Sequence, residues 1–469
     1  MYFFEGKAKR MVKNRDLFEK TPVPRALATL AVPTIISQLI SMVYNLADTV
    51  FIGMANDPSK TAASSVAFVL VFAMNCLSNL FGVGGGSLVS RLLGEKKDER
   101  AKGVSSFSFW GSLVVALVYS AVVYALMDPF LYFLGATEGS IVYARDYALW
   151  VVVLGAVPLT LSMTLSNLLR SEGYAKYASF GLGFGGILNI LLDPLFMFVI
   201  LEPGNEVKGA AMATCLSNVA VLVYFLSVLF FIRKRSVILL SLRKVYPGKH
   251  YVLSVFAVGF PSALSSFFAC LASIMLNNLT ASYSSIYGDV PVAAVGIAKK
   301  IDMLPMNVGM GLCQGMMPLV AYNYSSGDYK RMRSFTTAAR NAGIVFALIC
   351  IIAFEIFAEQ IVRLFIGDGA TVAMATDFLR IMCLAVPFMI ANFQLAFTFQ
   401  AMGLGKQSLL LSSLRQGLVN IPLMFLMNSL FGLYGLIWTQ LISDIITVVI
   451  SFIVYEHTYK KLLKNKITA

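Results

Sequence analysis

Apolar runs of about 20 residues or more recur from one end of this chain to the other, each long enough to cross a bilayer as an α-helix. A soluble core can hide one or two such runs, but this chain is composed of them. Only 13% of its 469 residues are charged, against about 25% in soluble domains. Mean hydropathy is +0.77. The chain reads as an all-α polytopic membrane protein.

The net charge of +13 raises the question of nucleic acid, and the placement of the bases answers it. Lys7, Lys9, Arg10, Lys13, Arg15, Lys20 and Arg25 crowd the first 25 residues, "RKRSVILLSLRKVYPGKH" (233–250) carries six more, and the tail "EHTYKKLLKNKITA" carries four lysines. Such confinement is topological, because bases gather on the cytoplasmic side. No nucleic-acid partner is expected. The six cysteines are scattered singly through apolar segments, and His250 and His457 have no neighbouring ligand residues. Neither a disulfide frame nor a metal site follows. The first apolar run, from about Ala26, is too long for a signal peptide and reads as helix 1.

Polar breaks divide the chain into twelve candidate spans: 26–53, 61–92, 104–127, 143–170, 177–200, 209–232, 251–286, 292–323, 335–358, 374–400, 407–430 and 434–456. An even number returns the C-terminus to the side of the N-terminus, as two basic ends require. The basic loops "GEKKDERAK", "SEGYAK", "GDYKRMR" and "GLGKQ" then face the cytoplasm, while "ANDPSK", "LEPGNEV" and "YGDVP" face outward.

The two halves repeat each other. "RLLGEKKDERAKG" matches "YNYSSGDYKRMRS", "NLLRSEGYAKYAS" matches "FTFQAMGLGKQSL", Pro33 matches Pro261 and Pro158 matches Pro387, at offsets of 228 to 231 residues. Six helices per repeat give both halves one orientation, related by an axis along the membrane normal. The predicted architecture is two pseudo-symmetric six-helix lobes around a central cleft. The N-lobe covers 26–232 and the C-lobe 251–456, with a basic N-terminus (1–25), an inter-lobe linker (233–250) and a basic tail (457–469). This is a transporter plan, with no enzyme chemistry implied.

Polar residues inside the spans carry the function. Asp48 lies on helix 1, and Asn189 and Asp193 on helix 5. Asn189 and Asp193 are four apart and share a helix face. Asp48 and Asp193 sit at comparable depth in the outer half of helices that run the same way. Pro194 frees the carbonyl of residue 190. Two carboxylates meeting in a dry pocket need a proton or a cation between them, so the group predicts an H+ or Na+ site; the bland alternative is that each acid snorkels to the interface. Neither acid recurs in the second half, where the counterparts fall near Leu276–Asn277 and Leu423–Met424. Ion binding in one lobe explains this better than packing does.

"GLGFGG" (181–186) matches GxGxxG only formally, since no strand precedes it, and reads as small-residue helix packing. Lys299, Lys300 and Asp302 near the start of helix 8 form an interfacial ion pair or a cleft-lining patch. No nucleotide-binding loop appears, so no ATP-type cofactor is expected and coupling falls to an ion gradient.

"PTIISQLISMVYNLADTVFIG" (33–53), "RLLGEKKDERA", "LLRSEGYAKYA", "NILLDPLFMF" and "YNYSSGDYKR" resemble the multidrug and toxic compound extrusion (MATE) family, over residues 20 to 455; the DP of helix 5 is similar to its DinF-like branch. The resemblance implies a two-lobe antiporter exchanging H+ or Na+ for organic, mostly cationic compounds. It assigns ion coupling to Asp48, Asn189, Asp193, Thr214 on helix 6 and Tyr44, and a bend of helix 1 to Pro33. The C-lobe acids of the family's NorM-like branch are not evident on helices 7 and 10, so the resemblance does not extend to a C-lobe cation site. Gln38, Met42, Asp302, Gln314 and Gln394 are expected along the substrate cleft.

The expected function is therefore ion-coupled multidrug efflux from a cell membrane, by a monomer with both termini cytoplasmic, whose partners are small organic cations and the lipid bilayer. A flippase for lipids or lipid-linked oligosaccharides is the alternative, disfavoured by the few bases inside the spans. A non-transporting sensor leaves the acids unexplained.

Overall fold

A computed structural model describes residues 15–53, 57–242 and 247–468. The basic residues before position 15, the outer loop at 54–56 and linker positions 243–246 lie outside the described residues. Twelve helical segments among the described residues correspond to the expected spans, and eight to ten of the helices are long and apolar enough to cross a membrane. The first lobe holds α1 (Val23–Gly53), α2 (Pro58–Gly94), α3 (Asp98–Ala125), α4 (Ile141–Leu154 and Ala156–Ser171), α5 (Ala175–Ile200) and α6 (Glu206–Ile232). The second holds α7 (Lys249–Ala281), α8 (Val290–Ser325), α9 (Tyr329–Arg363), α10 (Gly369–Cys383 and Val386–Met402), α11 (405–431) and α12 (433–468), the last two parted at Gly432.

The helix starts follow local chemistry. Asp57, Asp328 and Asp368 cap α2, α9 and α10 by accepting the N–H of Ser59, Arg331 and Thr371. The repeat is written into the bends: α4 breaks by 47° and α10 by 45°, each just ahead of the matched prolines Pro158 and Pro387. After Pro194 the backbone of α5 widens into a π-turn over Phe196–Ile200, since proline removes one bond of the α ladder.

Several ends differ from the sequence expectation by about five residues or more, those of α3, α7, α9, α10 and α12 among them. α9 starts at Tyr329, not 335, because Asp328 caps a basic first turn. α12 continues through the tail to Thr468. Tyr455 and Tyr459 extend its apolar stripe onto α9, where Thr336 bonds the Tyr455 hydroxyl at 3.1 Å and Arg333 pairs with Glu456 at 2.8 Å.

The lobes are joined at one end only. At the end carrying the chain termini, one core runs through both, from Leu30, Leu92 and Leu168 to Met316, Tyr322 and Phe399. Toward the opposite end the cores separate, one around Val66, Val123 and Ala144, another around Ala294, Phe354 and Phe378. Backbone contact makes the joint. Gly84 of α2 faces the Val255 carbonyl of α7, and Gly259 of α7 faces the Leu80 carbonyl of α2, at separations no Cβ could share.

Residues 15–22 strap this joint from below. Phe18 is buried between Gly173 of the N-lobe and Tyr322 of the C-lobe, its ring stacked on Tyr322 at 4.8 Å. Arg15 forms a bidentate pair with Asp98 on α3, at 2.8 and 2.9 Å. Arg331 of α9 donates to the Phe18 and Thr21 carbonyls, and the Tyr322 hydroxyl donates to Glu19 at 2.6 Å. The linker docks too: Glu172 accepts from the Ser236 hydroxyl and the Val237 N–H, and Ser106 donates to the Leu239 carbonyl. The cleft is closed toward the termini and opens away from them.

Candidate functional site

α1 and α5 approach closely in the N-lobe because the glycines of "GLGFGG" present no side chain. A Cβ on Gly186 would press on Ile40 and Tyr44, while Gly181 and Gly185 admit Phe225 and Val221 of α6. The stretch is a packing surface. It brings Tyr44 and Asp48 of α1, Asn189 and Asp193 of α5 and Thr214 of α6 together. The Asn189 amide donates to Asp193 Oδ1 at 3.1 Å and is 3.3 Å from Thr214 Oγ1. Asp48 and Asp193 lie within Coulombic reach of each other.

Three buried oxygens in this group, Asp48 Oδ1, Asn189 Oδ1 and Asp193 Oδ2, have no hydrogen-bond donor among the described residues. A buried acceptor without a partner costs about 1–3 kcal/mol, and more when charged, so such a cluster fits a proton or a small cation. Tyr147, at the end of the first turns of α4, is buried beside both acids and Tyr44. Sequence reasoning passed over it, because an aromatic in an apolar run carries no mark of polarity. α1 runs unbroken through Pro33. On either side of that proline, Ala31 and Ile35 press against Gly315 and Gly311 of α8.

The C-lobe counterpart is built differently. Asn420 aligns with Asn189 and bonds Gln440 at 3.2 Å, where Asn189 meets Thr214. Asn277, the counterpart of Asp48, accepts from Lys299 at 3.1 Å. Lys299 thus reaches across to α7 rather than pairing with Asp302. Arg415 of α11 pairs with Asp444 of α12 at 2.6 Å, both buried, with Asn392 and Gln440 also donating to Asp444. Asp302 stands within Coulombic reach of Arg415. One acid here, Asp444, is paired with a base, while Lys299 bonds Asn277 and Asp302 Oδ1 lacks a donor among the described residues; the N-lobe group has acids and, among the described residues, no base. Arg415 and Asp444 were visible as single charges in apolar runs, but nothing in one sequence says they meet.

Between the lobes lies a cavity of about 270 Å³. Gln38 and Gln314 line it, with Asn75, Asn167, Arg170 and Arg415. Met42 and Asp302 are not among its lining residues. Gln394 is buried within α10 packing, donating to Thr398 Oγ1 at 2.9 Å.

A two-lobe helical bundle, closed at one end over a polar cavity that both lobes line, defines a membrane transporter. The MatE family model matches residues 33–195 and 261–426, one match in each repeat. The chain belongs to the MATE family. It is 32% identical over 451 residues to the multidrug export protein MepA of Staphylococcus saprophyticus, covering 96% of each chain. It is 32% identical over 427 residues to MepA of Staphylococcus aureus (strain MRSA252), covering 91% of this chain and 92% of the relative. Its fold matches the outward-facing conformation of a multidrug resistance MATE family transporter of the MOP superfamily, with a TM-score of 0.89 at 23% identity, over 96% of this chain and 98% of the other.

Proposed function

We propose that the chain is a secondary antiporter that exports organic compounds in exchange for H+ or Na+, with its basic, closed end toward the cytoplasm. The observation that carries the coupling is the set of donorless oxygens on Asp48, Asn189 and Asp193, in a lobe that offers them no base. The matching C-lobe positions carry no acid: Asn277 accepts from Lys299 and Asn420 donates to Gln440, which supports a single coupling site. The description of the MepA relatives as multidrug export proteins supports small organic cargo over a lipid-linked sugar.

In the outward-open state, an external ion enters between Asp48 and Asp193 and neutralises them. Asn189 orients Asp193, and Thr214 and Tyr44 close the polar shell. Loss of charge lets α1 and α5 repack, and α1 transmits the change past Pro33 to α8, which lines the cavity. Cargo leaves, the lobes exchange their contacts, and the ion is released inward. The ion has only to favour one state by a few kcal/mol.

The test is transport in proteoliposomes under a pH gradient or a Na+ gradient, imposed separately. Asp193→Asn and Asp48→Asn are expected to reduce gradient-driven export to the leak rate while leaving cargo binding measurable. Undiminished export in both variants refutes the coupling site, and the gradient that works names the ion.

A further inference from the structure

The charge on the cavity wall has the opposite sign from the one a receptor for cations needs. Among the described residues, Arg170 and Arg415 are the charged residues lining it, and no Asp or Glu does so. Arg415 is neutralised by Asp444 and covered by the Phe393 ring, 4.5 Å away. Arg170 is not neutralised. It is 5% exposed, its Nε has no acceptor, and no ion pair or hydrogen bond is formed by its guanidinium among the described residues. It sits in the last turn of α4, where carbonyl dipoles favour a cation. That compensation is partial, and a buried charge without a partner is strongly unfavourable.

We propose that Arg170 is the residue that discriminates among cargoes in the cavity, by holding the carboxylate of those amphipathic compounds that bear one. The proposal rests on the exporter reading above and names a residue that selects its cargo. A planar guanidinium matches a carboxylate in bidentate geometry. Ser90, Ser171 and Gln400 surround the same end of the cavity and supply further polar contacts. Met163, Met310 and Phe397 line the remainder and suit an aromatic body. The bound carboxylate would lie next to the joint between the lobes, since Ser87 and Ser90 bond the Gln400 and Ser171 carbonyls there.

A matched dye pair tests this: rhodamine 110, whose carboxylic acid is free, and rhodamine 123, its methyl ester. Binding to the purified full-length protein is read by fluorescence polarisation, and export is read in vesicles of phosphatidylcholine alone, which removes anionic lipid as a competing occupant. Wild type is expected to bind the acid more tightly than the ester. Arg170→Gln should weaken the acid by at least about tenfold and the ester by less than about twofold, with Arg170→Lys in between. Equal weakening of both dyes, or a wild type that prefers the ester, overturns the proposal. A protein that exports the ester and refuses the acid overturns it while the exporter reading stands. Export of neither dye counts against the exporter reading, and the binding comparison still decides the role of Arg170.

Discussion

Phe18 offers a quantitative handle on alternating access. Its ring is 2% exposed and wedged between Gly173 and Tyr322, so its burial depends on the two lobes being joined. Truncating a buried Phe to Ala costs about 3–5 kcal/mol. If about half of that burial is lost when the lobes part, Phe18→Ala removes about 2 kcal/mol from the joined state alone. That corresponds to about 30-fold in the equilibrium between the two states. Lys97, between α2 and α3, and Lys330, in the first turn of α9, are exposed at the terminal end of opposite lobes. Spin labels at Lys97→Cys and Lys330→Cys, with the six native cysteines replaced, report that separation by double electron–electron resonance. The prediction is a second, longer distance population in Phe18→Ala. Truncating Phe180, which is 63% exposed on the outer face of α5, should produce none. An unchanged distance distribution in Phe18→Ala refutes the idea that the strap holds the lobes together.

Two further outcomes follow from buried charges. Arg415→Leu strands Asp444 in a fully buried position and should cost about 3–5 kcal/mol, seen as a lower melting temperature in detergent; adding Asp444→Leu should recover most of it, and a single variant that melts like wild type contradicts the pairing. Glu172, beyond the end of α4, is pushed up to about 8 by burial, against an ordinary 4.5. The undocked carboxyl ionises at lower pH than the docked one, so linker docking is strongest below 4.5 and weakens up to about 8. The charged or titratable groups lining the small cavity beside it are Arg15, Asp98, Arg235 and Tyr322. Hydrogen-exchange protection at Val237 and Leu239 should therefore fall between about pH 4.5 and about pH 8, after correction for intrinsic rates, and Glu172→Gln should flatten the trend. Equal slopes in both proteins remove Glu172 as the cause.

The spans and the duplication were legible because hydropathy and matched prolines are properties of local sequence. Asn189 and Asp193 were legible for the same reason: four residues on a helix fix their shared face. Thr214 needed the family resemblance, since one hydroxyl in "GAAMATCLS" looks like any other. Tyr147 was hidden among apolar neighbours. Arg415 and Asp444 sit on different helices, and only the packed structure makes them partners. The first residues read as a basic topology signal, yet Phe18 and Thr21 there form a strap, because their contacts lie on helix ends distant in sequence. Which way the cleft opens could not be read at all, since both states share one sequence.

The unequal chemistry of the two lobes sets a ceiling on the work each cycle can do. In the C-lobe Arg415 pairs with Asp444 and Lys299 bonds Asn277, so under the proposed coupling the charge that changes hands is that of Asp48 and Asp193. Two carboxylates move at most two protons per turnover. Each unit of pH difference supplies about 1.4 kcal/mol per proton, so an uncharged cargo can be concentrated at most about 100-fold per unit. A pump with the site duplicated in its second half could do twice that work; under the proposed coupling this one does it with a single half.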